Sequence, residues 1–323
     1  MKQWWTAPAG VLLAAALVAG CSSSGSETPK AAGGSGSGST AASSATAEFP
    51  VTVGTGSTAV TIATKPARIV SLSPTATESL FGIGAAAQVV AVDKNSDYPA
   101  SVPHSSLDAY QLNAEAVAAY RPDLVVESGL TPAQVKQLTA LKLTVLDQPA
   151  AATLDQAYQQ ITDLGKATGN AAAAGSLVES MKQKIAGIVA DTPKPAAGTT
   201  FYYELDPTYY SVTTSTFVGQ LFKQLGLASI ADTAKGAAAA GGYPQLNSEY
   251  VVKSNPAYLF LADTKCCQQS AKTVAARSGW SVLAAVKGGR IEALDDDIAS
   301  RWGPRVVDLL QAISTELKEH PVK

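Results

Sequence analysis

Residues 153–191 limit the folds open to this chain more than any other stretch. Thr153 followed by Gln156 is a capping-box spacing, which satisfies first-turn amides and starts a helix. Leu154, Tyr158, Ile161 and Leu164 then fall on one helical stripe. Gly169 suits a helix C-terminus and Asn170 a new N-cap. Leu177, Val178, Met181, Ile185 and Ile188 mark the apolar face of a second helix, which Thr192-Pro193 stops. That second helix is roughly 30 Å long at helical rise, about the width of a small domain. Similar patterns lie on either side, so the spacing predicts a rod joining two lobes.

On the N-terminal side, residues 49–63 read as a small hairpin around Gly54 and Gly56. Strands follow at Ile69–Leu72, Val89–Val92, Leu124–Val126 and Thr144–Leu146, with helices predicted over Thr75–Phe81, Asn113–Ala119 and Pro132–Leu141. After the rod, strands are predicted at Thr200–Leu205, Tyr258–Ala262 and Ile291–Leu294. Helices are predicted over Thr216–Leu225 and Ser248–Lys253, near Thr273, over Ser281–Val286 and over Pro304–Lys318. Strands alternating with helices indicate covered parallel sheets: an α/β fold of two Rossmann-like lobes joined by one long helix, with a cleft between them.

An internal echo supports two related lobes. Leu112, Asn113, Glu115, Val117 and Pro122 recur at the same spacing as Leu246, Asn247, Glu249, Val251 and Pro256. Each Asn can cap a helix, and each Pro turns the chain out of it before a buried strand. Any unit of cap, helix and strand has some of this pattern, so chance similarity is the alternative. Tyr110 and Tyr243 precede the two units, on loops of the kind where such folds bind ligands.

The chain opens with a short charged segment and the apolar run Val11–Ala19, too short to span a membrane comfortably. Val18-Ala19-Gly20-Cys21 resembles a bacterial lipobox. This implies a signal peptide over residues 1–20, cleavage before Cys21 and a lipid on its thiol; an uncleaved signal with an ordinary cysteine is the alternative. Residues 22–48 are Ser, Gly, Ala and Thr with almost no large apolar side chain, which suits a flexible tether. The expected divisions are 1–20 signal, 21–48 lipidated Cys and tether, 49–152 first lobe, 153–192 connecting helices and 193–323 second lobe.

A net charge of −2, with 15% charged residues, offers no basic surface for nucleic acid. The two histidines, His104 and His320, exclude a three-His metal centre. No nucleophile elbow, phosphate loop or zinc motif is present, so an enzyme is not expected. With Cys21 assigned to lipid, Cys266 and Cys267 remain of the three cysteines. Adjacent in an exported chain, they favour a vicinal disulfide over two free thiols.

The segment RIVSLSPTATESLFGIGAAAQVVAVDKNSDYP resembles the first lobe of the cobalamin (vitamin B12) and ferric-siderophore class of ABC-importer solute-binding proteins. The resemblance continues through NAEAVAAYRPDLVV, YPQLNSEYVVKSNP, GWSVLAAVKGGRI and RWGPRVVDLL, so it covers nearly all of residues 49–320. It implies a receptor that captures a metal chelate, cobalamin or ferric siderophore, and delivers it to an ABC permease and its ATPase. It implies no cofactor and no catalysis, a membrane attachment through the lipid on Cys21, a location on the outer face of the cell membrane, and a monomer. A haem receptor of the same fold, with Tyr as axial ligand, and a surface adhesin or scaffold are the alternatives.

The resemblance also implies site residues. Pro74, Tyr98, Tyr110, Tyr210, Tyr243, Asp297 and Arg301 match cleft positions, and Trp302 is included for its neighbours. Aromatic walls and a few polar groups suit a flat chelate with polar edges. Asp297 would accept from a ligand amide and Arg301 would pair with a ligand carboxylate or amide; a local Asp297–Arg301 salt bridge is the alternative. Any of these tyrosines could instead be half-buried packing. Glu78 matches an acid that meets permease arginines, or else favours its own helix dipole. In the second lobe the matching position is Ser215, leaving Glu204 or Asp206 as substitutes. A polyanionic catecholate complex would want several converging cations. Arg301 alone is placed in the cleft, which favours cobalamin or a near-neutral hydroxamate complex.

Overall fold

The computed structural model describes residues 49–54 and 58–322. The leader, Cys21, the tether and part of the predicted hairpin loop lie outside the described residues.

β1 (Val51–Val53) and β2 (Val60–Ile62) pair antiparallel as the leading hairpin. The first lobe follows: β3 (Ile69–Leu72), α1 (Pro74–Gly82), β4 (Val89–Val92), α2 (Ala114–Ala119), β5 (Leu124–Glu127), α3 (Pro132–Ala140) and β6 (Val145–Asp147). Two helices come next, α4 (Leu154–Thr168) and α5 (Ala171–Asp191). The second lobe comprises β7 (Thr200–Glu204), α6 (Phe217–Gln224), β8 (Ala228–Ser229), α7 (Ser248–Ser254), β9 (Tyr258–Leu261), α8 (Thr264–Cys267), α9 (Ala271–Ala275), α10 (Ala284–Lys287), β10 (Ile291–Ala293), α11 (Asp296–Ser300) and α12 (Val306–Glu319).

Both sheets are parallel and four-stranded, ordered β4-β3-β5-β6 and β10-β9-β7-β8. Numbered within its own lobe, each sheet has the order 2-1-3-4, so the sequence echo is a repeat of topology. The caps agree with it. Asn113 Oδ1 accepts from Ala116 N at 2.9 Å, and Asn247 Oδ1 accepts from Tyr250 N at 2.8 Å. In a 2-1-3-4 sheet the connections leave the first strand in opposite directions, opening a crevice at the carboxyl ends of the first and third strands. That crevice lies beyond β3 and β5 in one lobe and beyond β7 and β9 in the other.

The inner strands β3, β5, β7 and β9 are buried on both faces. In β7, Phe201 and Tyr203 point into one apolar cluster and Tyr202 into another. In β5, Leu124 and Val126 point into the first of these and Val125 into a third. Each fully buried side chain of this size contributes about 2 kcal/mol of burial. The first cluster is continuous through both sheets, α4, α5 and α12, so the lobes share a core.

α5 runs 21 residues, as the apolar spacing predicts. Gly169 ends α4 in the left-handed region, at φ 71°. Gly165 lets α4 and α5 cross closely: a Cβ there would sit 2.3 Å from that of Ala174. Asn170 occupies the predicted cap position without capping. Its side-chain amide donates instead to Gln88 Oε1 at 3.1 Å and to Thr168. The helix predicted over 281–286 is divided into a short 3-10 turn and α10. Among the described residues, no helix is long and apolar enough to cross a membrane.

Candidate functional site

A cavity of about 570 Å3 opens at the carboxyl ends of β3 and β5, where the strand order reverses. Ser73, Pro74 and Thr75 supply one wall. Ser73 caps α1 through its hydroxyl, and Pro74 takes the first helical position, where its missing N–H costs nothing. Ser128, Gly129 and Leu130 follow β5. Their loop is held by Leu130 N–H, which donates to Glu127 Oε2 at 2.9 Å. The segment after β4 brings Asp93, Lys94, Asn95 and Asp97. Asp297, Ser300, Arg301 and Trp302 close the cavity from the second half of the chain. The Trp302 indole is fixed by Nε1–H donating to Gln160 Oε1 at 3.0 Å.

Arg301 is the most heavily engaged group here. Nη1 donates to Glu78 Oε1 at 2.8 Å and to Asp97 Oδ1 at 3.0 Å; Nη2 donates to Asp297 Oδ1 at 2.6 Å and to the Asn95 carbonyl at 3.1 Å. The four N–H groups of its terminal nitrogens are thereby matched to four protein oxygens. Burial alone would lower its pKa, but the bond to Glu78 and the charge of Asp297 hold it above the usual value. Arg305 forms a second fork onto Glu78, through Nε at 2.9 Å and Nη2 at 2.5 Å, and lies over the Tyr98 ring. Lys94 pairs with Asp108 at 2.6 Å, and Lys265 spans Asp295 and Asp297. The pKa of Asp93 is raised by burial, against the hydroxyl of Ser96 and the amide of Asn95.

Of the residues singled out from sequence, Pro74, Tyr110, Asp297, Arg301 and Trp302 line one cavity. Tyr98, Tyr210 and Tyr243 do not line it, yet are 46%, 40% and 42% exposed; Tyr110 is 84% exposed. Tyr210 and Tyr243 lie on two loops of the second lobe that are laced together. Tyr210 bridges Gln245, and Ser211 N donates to the Pro244 carbonyl at 3.0 Å. Burial raises the Tyr243 pKa, opposed by its bond to Thr216.

Two expectations need correction. Glu78 is 4% exposed and both its oxygens are taken by arginines of its own chain, so it presents no surface charge to a partner. Glu204, one of the two acids expected to stand in for Ser215, is fully buried and held by a two-pronged bond from Arg277. Asp206 remains partly exposed. The reason in both cases is a guanidinium from a distant segment, which local spacing does not reveal. Asp97, Asn95 and the 128–130 loop were also missed. The position of Ser128 directly after a buried strand was the available signal for that loop.

Cys266 and Cys267 are joined as a disulfide within α8. Asp296 holds this short helix: its carboxylate accepts from the amides of Thr264, Lys265 and Cys266 and from the Thr264 hydroxyl, at 2.7 to 2.9 Å. Burial would raise the Asp296 pKa, but these donors hold it below the usual range.

Two similar α/β lobes with a ligand-sized cavity at the strand-order reversal define a two-lobed binding protein. The chain belongs to the periplasmic binding protein family, whose model matches residues 69–298. It is 31% identical over 320 residues to an uncharacterized ABC transporter substrate-binding lipoprotein, YvrC, of Bacillus subtilis, covering 96% of this chain and 95% of that one. A cobalamin-binding protein of Halobacterium salinarum is 29% identical over 274 residues, covering 80% and 72%. The crystal structure of the periplasmic vitamin B12 binding protein of Vibrio cholerae shares the fold. Its TM-score is 0.63 at 23% identity, covering 80% of this chain and 99% of that one.

Proposed function

We propose that this protein is the extracytoplasmic receptor of an ABC importer, capturing a metal chelate of the cobalamin or ferric-siderophore kind and delivering it to a permease and its ATPase. Cys21 would carry the lipid that keeps it at the outer face of the cell membrane. The observation that carries the reading is the cavity beyond β3 and β5, walled by Pro74 and Trp302 and rimmed by the exposed ring of Tyr110. An exposed aromatic at a pocket mouth offers apolar area to a flat ligand at little ordering cost. The relatives named as cobalamin-binding and as a transporter's substrate-binding lipoprotein support the same reading. The protein's part is binding and orientation; no bond of the ligand is made or broken.

The test is quenching of intrinsic tryptophan and tyrosine fluorescence in the full chain, titrated with cyanocobalamin, a ferric hydroxamate, a ferric catecholate and haemin. Saturation by one of them at micromolar concentration or below supports the receptor. Failure of all four, with the protein folded, would overturn it in favour of a surface scaffold.

A further inference from the structure

The cavity is lined by three acids, Asp93, Asp97 and Asp297, and two bases, Lys94 and Arg301. Both bases are already engaged. Lys94 Nζ is 2.6 Å from Asp108, and Arg301 is shared among Glu78, Asp97, Asp297 and the Asn95 carbonyl. The nearby cations Lys265 and Arg305 are also paired, the first with Asp295 and Asp297, the second with Glu78. An anion entering this cavity would lose hydration, face surplus carboxylates, and gain a cation only by breaking an existing pair. Asp93 and Asp297 are engaged as well, but a ligand edge carrying N–H donors or a positive charge would meet the largely exposed carboxylate of Asp97, which can accept from it without giving up Arg301.

We propose that the cleft sorts chelates by charge, admitting neutral or cationic metal chelates with donor groups on their edge and turning away polyanionic ones. This rests on the chelate-receptor reading above and narrows its ligand class. Asp97 is the residue placed to set the preference. Its side chain is largely exposed, yet it touches Arg301 at 3.0 Å and lines the cavity. Ferric dicitrate, and haem with its propionates, fall in the excluded class. Cobalamin, whose rim carries amides, and cationic ferric hydroxamates fall in the admitted one.

Equilibrium dialysis of the full chain against cyanocobalamin, ferrioxamine B, ferric dicitrate and haemin tests this. At least one of the first two is expected to bind roughly a hundredfold more tightly than either anionic chelate, a difference of about 3 kcal/mol. Asp97→Lys is expected to close that gap by roughly tenfold or more, from both directions. Tightest binding by an anionic chelate would overturn the charge rule and leave the receptor standing. An unchanged ratio in Asp97→Lys, with its circular dichroism intact, would also overturn the rule. If none of the four binds, the charge rule is overturned, and the receptor reading is decided separately by the fluorescence titration, which includes a ferric catecholate.

Discussion

Arg301 and Glu78, 223 residues apart in sequence, meet as a buried ion pair at 2.8 Å. One belongs to the segment between α11 and α12 and the other to α1, so the pair fastens the C-terminal part of the chain to the first lobe. Arg305 completes the cluster from one turn further on. Removing one partner from such a cluster leaves an uncompensated buried charge. Glu78→Gln is expected to lower unfolding free energy by about 3 kcal/mol in urea melts. A surface acid at that position would change stability by less than about 0.5 kcal/mol, and that result would return Glu78 to the list of exposed docking residues.

Glu127 gives a pH dependence with a definite sign. Burial drives its pKa from 4.5 to about 7; the Leu130 amide opposes the shift and the adjacent Asp147 adds to it. Asp147 stands directly across β5 and β6. Between pH 4.5 and 7 the native state keeps a proton that the unfolded state releases. This contribution is therefore fully present below pH 4.5, declines as pH rises and levels off above 7. The slope from this group is at most about 1.4 kcal/mol per pH unit. Glu127→Gln should be more stable than the parent at pH 8, with the gap shrinking toward pH 5. Denaturant midpoints at the two pH values decide it; a constant gap would refute the assignment.

Asp296 predicts a local effect. Asp296→Ala removes the acceptor for three amides and a hydroxyl at α8. Amide exchange at residues 264–267 should accelerate by at least roughly thirtyfold, since bonds to a charged acceptor contribute about 2 kcal/mol or more. Replacing both Cys266 and Cys267 by Ser keeps Asp296 and should accelerate it far less. Equal acceleration in the two variants would mean that the disulfide, rather than the carboxylate, holds the helix.

Much of this architecture was legible locally. Ile69–Leu72 is a short apolar run and folds with those limits, and Asn113 and Asn247 cap the helices that their spacing marks. What was not legible is what distant segments impose. α8 is a helix because Asp296, some thirty residues later, gathers its amides. Arg301 lines the cavity, but is matched to four oxygens, three of them from the first lobe (Glu78, Asp97 and the Asn95 carbonyl) and one from Asp297. The N–H groups of its terminal nitrogens are thus engaged within the protein. The local Asp297–Arg301 pair is present as well, at 2.6 Å.

The tyrosines separate a binding role from a packing role. Tyr110 and Tyr243 are exposed, so Tyr110→Ala and Tyr243→Ala should leave the fold intact by circular dichroism. In the receptor reading each should weaken chelate binding by up to roughly tenfold, the scale of one aromatic contact. Loss of fold in either variant, or unchanged affinity in both, would argue against an aromatic rim.

The most direct measurement is hydrogen exchange of the full chain with and without the chelate that saturates it. Slowed exchange is expected in the segments that build the cavity, residues 73–75, 94–97, 128–130 and 297–302. Protection confined to other surfaces, or no protection at saturating chelate, would contradict the placement of the site.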